Sequence, residues 1–559
     1  MGAAFVLISC AGQVPPDGGP VDNEPPVIIS TYPAPFTTQF HDNKIAIEFD
    51  EYVDRRSVEE SIFISPHIGE LEFDWSGKEV EVLFSEPLRD NRTYVVNVGT
   101  DVVDINNRNR MAQSFTIAFT TGDVIDKGAV EGRVYPAQSK DEAEGVMVFA
   151  YLLVPGAPDT LNPTTTKPDY ITQTGKGGEF ALRHIIIGNY RLFAVRDEFR
   201  NLVYDPESDD YGVTVSDIQL SFADTLRDGI LMRLAKEDTT APRLVKITPQ
   251  DRTHLLAEFS ESLDSASVIA PNFSIWDTVT NTPVAIKSVA HVFGKLAHVL
   301  ILTDLQTEGG SYGLMTKGVS DLAGNSINPL ANSLTFEASA KPDTMPPSVS
   351  AFSIADSTVG VELAPKVYIS FSDVMAKASV ESAISSQDSL GENILFARRW
   401  LSDAALELAP TQPLRSKMWY RMTIDPASIK NLNGLSGHGK PRTYRFETVD
   451  AELLSSVEGG VIDRSRTDAT GPVILIAENA VVKEAKPFTI KLEQPGNFTM
   501  NNLPEGQYIL RAFRDRNSNG KYDVGRPMPF TPSERFTVYP DTLKLRARWP
   551  LEGVSLQLR

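Results

Sequence analysis

Ile45-Ala-Ile-Glu-Phe49-Asp50-Glu51 alternates apolar and polar residues with period two. A strand with one face on a core and the other in water has this pattern. It returns at Leu256-Ala-Glu-Phe259-Ser-Glu261 and at Val367-Tyr-Ile-Ser-Phe371-Ser-Asp373. Each copy follows a proline-marked joint: Glu24-Pro25-Pro26-Val27, Thr240-Ala241-Pro242-Arg243-Leu244 and Met345-Pro346-Pro347-Ser-Val349. Each is followed by further short apolar stretches in the same order, at 80–84, 299–302 and 405–408. Next come stretches around Tyr94, Tyr312 and Tyr420, then closing ones around Phe119, Phe336 and Phe446. Many short strands with turn signals between them predict an all-β chain of tandem β-sandwich modules in an extended array. Helical periodicity is scarce, and 58–62 holds at most a single turn.

Between and after these units lies a second repeat. Gly178-Glu-Phe180 … Gly188-Asn-Tyr190-Arg-Leu192 … Arg196-Asp197 … Asn201 … Tyr204-Asp205 aligns without a gap with Gly496-Asn-Phe498 … Gly506-Gln-Tyr508-Ile-Leu510 … Arg514-Asp515 … Asn519 … Tyr522-Asp523. Self-similarity at a fixed distance signals duplicated modules. The chain then divides into a leader over 1–9, a linker over 10–24, sandwiches of one kind over 25–123, 239–340 and 344–449, and sandwiches of another kind over 128–237 and 451–559.

Composition narrows the function. With 559 residues, 41% hydrophobic and 9% aromatic, the chain can build several cores. Its 73 acids against 53 Lys plus Arg leave a net charge of −20, which excludes a nucleic-acid partner that needs basic grooves. The single cysteine, Cys10, rules out a disulfide within the chain. It follows the apolar run Gly2-Ala-Ala-Phe-Val-Leu-Ile-Ser9, and Leu7-Ile-Ser-Cys10 resembles a bacterial lipobox. That resemblance implies cleavage before Cys10, lipidation of its thiol and attachment to a membrane, although no Lys or Arg precedes it as a secretory signal usually requires.

The three proline-marked units resemble the bacterial Ig-like domain first described in S-layer proteins. Val319-Ser-Asp321-Leu-Ala-Gly324-Asn325 is that family's late loop; Asp104-Ile-Asn-Asn-Arg and Asn431-Leu-Asn-Gly434 depart from it. The two other units, with Val130-Glu-Gly-Arg-Val134, Val457-Glu-Gly-Gly-Val461 and Asn502-Leu-Pro-Glu-Gly-Gln-Tyr508, resemble transthyretin-like or carboxypeptidase regulatory-like modules. The whole is similar to Ig-like-domain lipoproteins of Bacteroidota outer membranes. The resemblance implies a lipid-anchored outer-membrane protein at the cell surface and brings no defined activity.

Three patterns could carry chemistry. Asp515-Arg-Asn517-Ser-Asn519-Gly520-Lys-Tyr-Asp523 fits the first half of an EF-hand loop, in which oxygens at positions 1, 3, 5 and 9 converge on Ca²⁺. Position 12, a Glu in that motif, is Arg526. An Asx-rich turn without metal is the competing reading. The sister loop keeps Asp197, Asn201 and Asp205 but lacks counterparts of Asn517 and Gly520. Asp-Ser/Thr-apolar triplets recur along the chain and resemble an O-glycosylation sequon of the same bacterial group, with Thr239 and Thr344 in predicted linkers. The acids Glu48, Asp50, Glu51, Glu258 and Glu261 read as a solvated strand face. Trp75, Trp276, Trp400, Trp419 and Trp549 read as core residues before sugar platforms.

No H-E-x-x-H or C-x-x-C occurs, and the seven His are scattered. The sequence therefore predicts a non-catalytic envelope lipoprotein that binds the membrane through its N-terminal lipid and takes a protein or glycan ligand. A glycan-binding accessory protein for polysaccharide uptake is the second reading. An enzyme with a site between modules is the third.

Overall fold

A strand whose alternate residues are Ile45, Ile47 and Phe49 has to bury that face, and in the computed structural model all three are fully buried. The structure describes residues 22–559 apart from 67, 138–141, 155, 157, 158, 465–469, 483 and 484. Cys10, the leader over 1–9 and residues 10–21 of the linker lie outside the described residues.

Ten sheets pair into five sandwiches among the described residues. In the first, the sheet Ile28–Tyr32, Lys44–Phe49, Glu79–Phe84, Leu71–Ser76 faces the sheet Ile62–Ser65, Thr93–Val98, Phe115–Thr120. The third and fourth modules repeat the first of these sheets strand for strand, around His254–Phe259 and Val367–Phe371. Three details recur in all three. A bulge follows the prolines, between Ile28 and Ser30, Leu244 and Lys246, and Val349 and Ala351. The Tyr94, Tyr312 and Tyr420 hydroxyls each accept from the backbone N–H five residues earlier, at 2.7–2.8 Å. Those same rings stack on Phe119, Phe336 and Phe446 at 5.6–5.9 Å. Each stacked pair fixes two strands of one sheet and buries area worth about 1.5–3 kcal/mol per side chain.

The second and fifth modules are built differently. Their last strands, Leu226–Arg233 and Leu551–Leu558, pair parallel to their first, Gly128–Tyr135 and Leu454–Asp463. Their repeat has a structural reason. Tyr190 and Tyr508 sit in the central strands Asn189–Arg196 and Gly506–Arg514, and each hydroxyl donates to the carbonyl four residues earlier, Ile186 at 2.7 Å and Pro504 at 3.0 Å. A buried phenol that pins its own turn resembles the tyrosine corner of β-sandwiches.

Helix is confined to short pieces. Arg55–Glu59 is capped by Asp54, whose side chain accepts from the Ser57 N–H. No helix among the described residues is long and apolar enough to cross a membrane.

Each module has its own core, and further apolar clusters join the modules. Phe63 of the first module enters a cluster with Phe149, Phe193 and Tyr211 of the second, joined by Val524 and Phe530 of the fifth. Leu300 and Leu302 of the third meet Val374 and Ala404 of the fourth. The fold is the predicted tandem of sandwiches. An end-to-end rod with the fifth module farthest from the N-terminus is not what it forms. The chain returns, and the fifth module docks on the second.

Candidate functional site at the module joints

The joints before the first, third and fourth modules draw on the same three positions. Each linker contributes an Asp: Asp22, Asp238 and Asp343. Each alternating strand ends in an acid two residues past its Phe: Glu51, Glu261 and Asp373. Each late loop supplies Asp104, Asp321 or Asn431. In the first and third modules the three carboxylates converge, with oxygens within 4.8 Å of one another, and could hold a cation. The buried Asp321 turns its own loop, accepting from the Asn325 N–H at 2.8 Å and its side-chain amide at 2.9 Å. The same amide donates to the Asp238 carbonyl at 2.7 Å, which clips the linker to the loop. Asp104 does the same work in the first module. Burial pushes its carboxyl up, but hydrogen bonds from Asn107, Asn109 and Arg108 overcome that and hold it low. At Glu51 and Glu261 burial and then the neighbouring acids raise both carboxyls.

The fourth module resolves the same crowding without a cation from solution. Asn431 replaces the third acid and donates to Asp373 at 2.8 Å. His254 of the preceding module fills the remaining space, Nδ1 to Asp251 at 2.8 Å and Nε2 to Asp373 at 3.1 Å. Burial opposes the imidazolium, but Asp251 and Asp373 lift its pKa to about 10. Asp251, His254 and Asp343 also lie close enough together for a metal, yet both ring nitrogens already face carboxylates. This is an ion-paired joint.

Glu51 and Glu261 were expected on a solvated face. That expectation is corrected, because the bulge and the returning linker fold them into the joints. A signal was available, since Asp before the prolines, acid after Phe, and Asp or Asn in the late loop recur three times. His254 gave none; its partner Asp373 is 119 positions away.

Asp515, Asn517, Asn519 and Asp523 do come together. Asp515 accepts from the Asn519 N–H at 3.0 Å and the Gly520 N–H at 2.8 Å. Asp523 accepts from the Asn517 and Asn519 amides at 2.6 and 3.2 Å. Fully buried Glu534, which the motif did not indicate, accepts from the Arg516 and Asp523 N–H groups. The sister loop closes identically, with Asp197 accepting from the Asn201 and Leu202 N–H groups and buried Asp209 taking the place of Glu534. A cation at 515–523 would have to displace these N–H donors. The sister loop has another use: Arg200 bridges to Glu60 and Asp101 of the first module.

The flank of the 515–523 loop forms the clasp between the fifth and second modules. Phe530 lies under the Arg191 guanidinium at 3.8 Å, and Asp217 and Asp159 fix that guanidinium. The Ser533 hydroxyl donates to the Val213 carbonyl at 3.1 Å. Thr239 and Thr344 are exposed, each directly after a joint Asp. Trp75 and Trp400 are half-buried, each donating to a Glu at 2.9 Å, whereas Trp549 is 73% exposed.

Residues 22–121 and 343–448 match the bacterial Ig-like domain family. The shared bulge, tyrosine and stacked pair extend that architecture to the third module. The "Outer cell wall protein" of Brevibacillus brevis is 27% identical over 175 residues, 31% of this chain. The chain spans only 16% of that relative's length. Among solved structures, the N-terminal part of the bacterial S-layer protein SbsC is 17% identical, covering 37% of this chain and 44% of that one with a TM-score of 0.17. L,D-transpeptidase 1 of Mycobacterium tuberculosis is 12% identical, covering 33% and 83%, with a TM-score of 0.16. TM-scores of this size carry no argument.

Proposed function

We propose that this chain is a non-catalytic structural lipoprotein of the cell surface, attached to the outer membrane through lipid on Cys10, which holds its sandwiches in fixed relation to present a protein or glycan ligand. The repeated joint carries the reading. Equivalent polar positions recur at the joint before each Ig-like module, holding the linker directly in the first and third, and the fifth module is clamped onto the second. Buried polar groups are thus used to set module against module, as a scaffold requires. The Ig-like segments and the likeness to an outer cell wall protein support a surface location. The second and fifth modules are read as transthyretin-like, Thr239 and Thr344 as glycan acceptors shielding the joints, and Asp515, Asn517, Asn519 and Asp523 as ligands for Ca²⁺.

Protease treatment of intact cells, with wild type beside Cys10→Ala, tests the reading. The expected result is a membrane-bound wild type clipped from outside and a variant released from the membrane. A soluble wild type, or one protected from protease, overturns it.

A further inference from the structure

In the fourth module, the strand Trp419–Ile424 runs between Ile384–Asp388 and Arg442–Thr448. Side chains two apart on a strand share a face, so Trp419 and Arg421 lie on the solvent side, while Tyr420 turns to the core and stacks on Phe446. Register sets Arg421 directly opposite Arg445 on one neighbour and Gln387 on the other. Like charges in that position repel. Arg445 is neutralised by Asp356, which accepts from its Nη2 at 3.0 Å and its Nε at 3.3 Å. Arg421 is held by an uncharged group instead: its Nε and Nη2 both donate to the Gln387 Oε1, the first at 3.1 Å. Trp419 was expected in a core, yet it is 38% exposed. Trp75 and Trp400 give their indole N–H groups to Glu59 and Glu381 and pack against their modules' cores. Among the described residues, Trp419 has no such partner and stands outside the fourth module's core. It lines a groove of about 340 Å³, at the lower end of the range for ligand sites, with Arg421, Arg445, Ser357, Ser389 and Asp388. Asp388 is buried in the wall; its Oδ1 accepts from the Leu390 and Glu392 N–H groups at 2.9 Å, and Arg415 stands 3.9 Å from its Oδ2. Ser357 is held at φ +67, a left-handed conformation of the kind that collects at binding sites.

We infer that this groove binds a short stretch of a neutral saccharide, with a sugar ring against the Trp419 indole and its hydroxyls on Arg421, Ser357 and Ser389. The inference rests on the proposed presentation of a protein or glycan ligand and selects the glycan. The electron-rich face of an indole takes the C–H side of a sugar ring. A guanidinium supplies a fork of donors, and serine hydroxyls both donate and accept, which suits neighbouring sugar hydroxyls. With Arg445 taken by Asp356, the charges left in the lining are one guanidinium, Arg421, and one carboxylate, Asp388. That balance favours neither an anion nor a cation. Trp419, Arg421 and Gln387 all stand on paired strands, so the site is formed before the ligand arrives.

Calorimetry on the purified full chain tests this with cellohexaose, maltohexaose, mannohexaose and the acidic oligogalacturonate. At least one neutral oligosaccharide is expected to bind, with an affinity that raised salt leaves unchanged. Trp419→Ala and Arg421→Gln should each weaken it about tenfold or more, with circular dichroism confirming that both are folded. Trp549→Ala, which removes an exposed indole of the fifth module, should bind like wild type. Tighter binding of oligogalacturonate, affinity unchanged in either folded groove variant, or an equal loss in Trp549→Ala overturns the inference. So does no binding at millimolar concentration, which would favour a protein segment on the same Trp and Arg. Binding by the purified chain does not depend on lipid or location, so its failure is distinct from failure of the protease test on cells.

Discussion

The Tyr211 hydroxyl donates to the Gly525 carbonyl at 2.9 Å, across 314 positions of sequence. Gly525 has φ +71, and a Cβ there would meet the Thr531 carbonyl oxygen at 2.4 Å and a Val213 methyl at 2.5 Å. Only glycine fits where the two modules touch.

Gly525→Ala should therefore open the clasp while leaving each module's own core intact. The expected signature is an increased radius of gyration in small-angle scattering and new protease sites around 515–533, with little change in far-ultraviolet circular dichroism. Tyr211→Phe removes one hydrogen bond and no volume, and should cost only about 1 kcal/mol. Equal scattering profiles for wild type and Gly525→Ala would count against the docked arrangement.

The joint between the third and fourth modules should depend on pH. His254 has its pKa lifted from 6.5 to about 10 in the folded chain. Its contribution is complete below pH 6.5 and is lost as pH rises through about 10. Denaturant unfolding from pH 6 to 10.5 should show this decline in wild type and not in His254→Asn. The variant should lose about 3–5 kcal/mol at neutral pH, because Asp251 and Asp373 are left buried without their cation.

Glu261 shifts stability in the same direction with pH, for a different reason. Its carboxyl is raised above 4.5 by burial and then by Asp238 and Asp321, so its charged form is disfavoured in the fold. Stability is complete below pH 4.5 and falls as pH rises through the raised value. Glu261→Gln at pH 7 without divalent cations should match wild type or exceed it by about 0.5 kcal/mol. A clear loss of stability would mean that the charge has a partner at this joint.

Calcium at 515–523 is tested by melting with Ca²⁺ against chelator. Extracellular modules bind with Kd of about 10⁻⁴–10⁻³ M, and Ca²⁺ at about ten times Kd adds about 1.4 kcal/mol. Wild type should melt higher by that amount and Asn519→Ala should not. Identical curves for wild type would assign the loop to its own hydrogen bonds alone.

The two phenols of the duplicated modules give a further comparison. Tyr190→Phe and Tyr508→Phe each remove the bond that pins a turn, leaving the Ile186 or Pro504 carbonyl without that donor. Each should cost about 1 kcal/mol, measured as equal shifts in denaturant midpoint at unchanged slope.

Strands and modules were legible because their causes are local. The alternation of Ile45, Ile47 and Phe49 forces a half-buried strand wherever it occurs, prolines and glycines mark the turns, and a duplicated pattern folds twice in the same way. The loop at 515–523 was legible for the same reason, since its Asx bonds span two to six residues. Glu534 was not, because it reaches the loop from a separate strand connection.

What the sequence by itself determined is the all-β class, the kinship of the three Ig-like units and the pairing of the two others. Tertiary structure alone decided which module touches which, that Glu51 and Glu261 are crowded into joints, and that His254 lies between the carboxylates of Asp251 and Asp373. The reason is physical. Period-two patterning specifies which face of a strand is buried, but docking depends on a few side chains from distant segments. Their charge and burial exist only once both surfaces are folded.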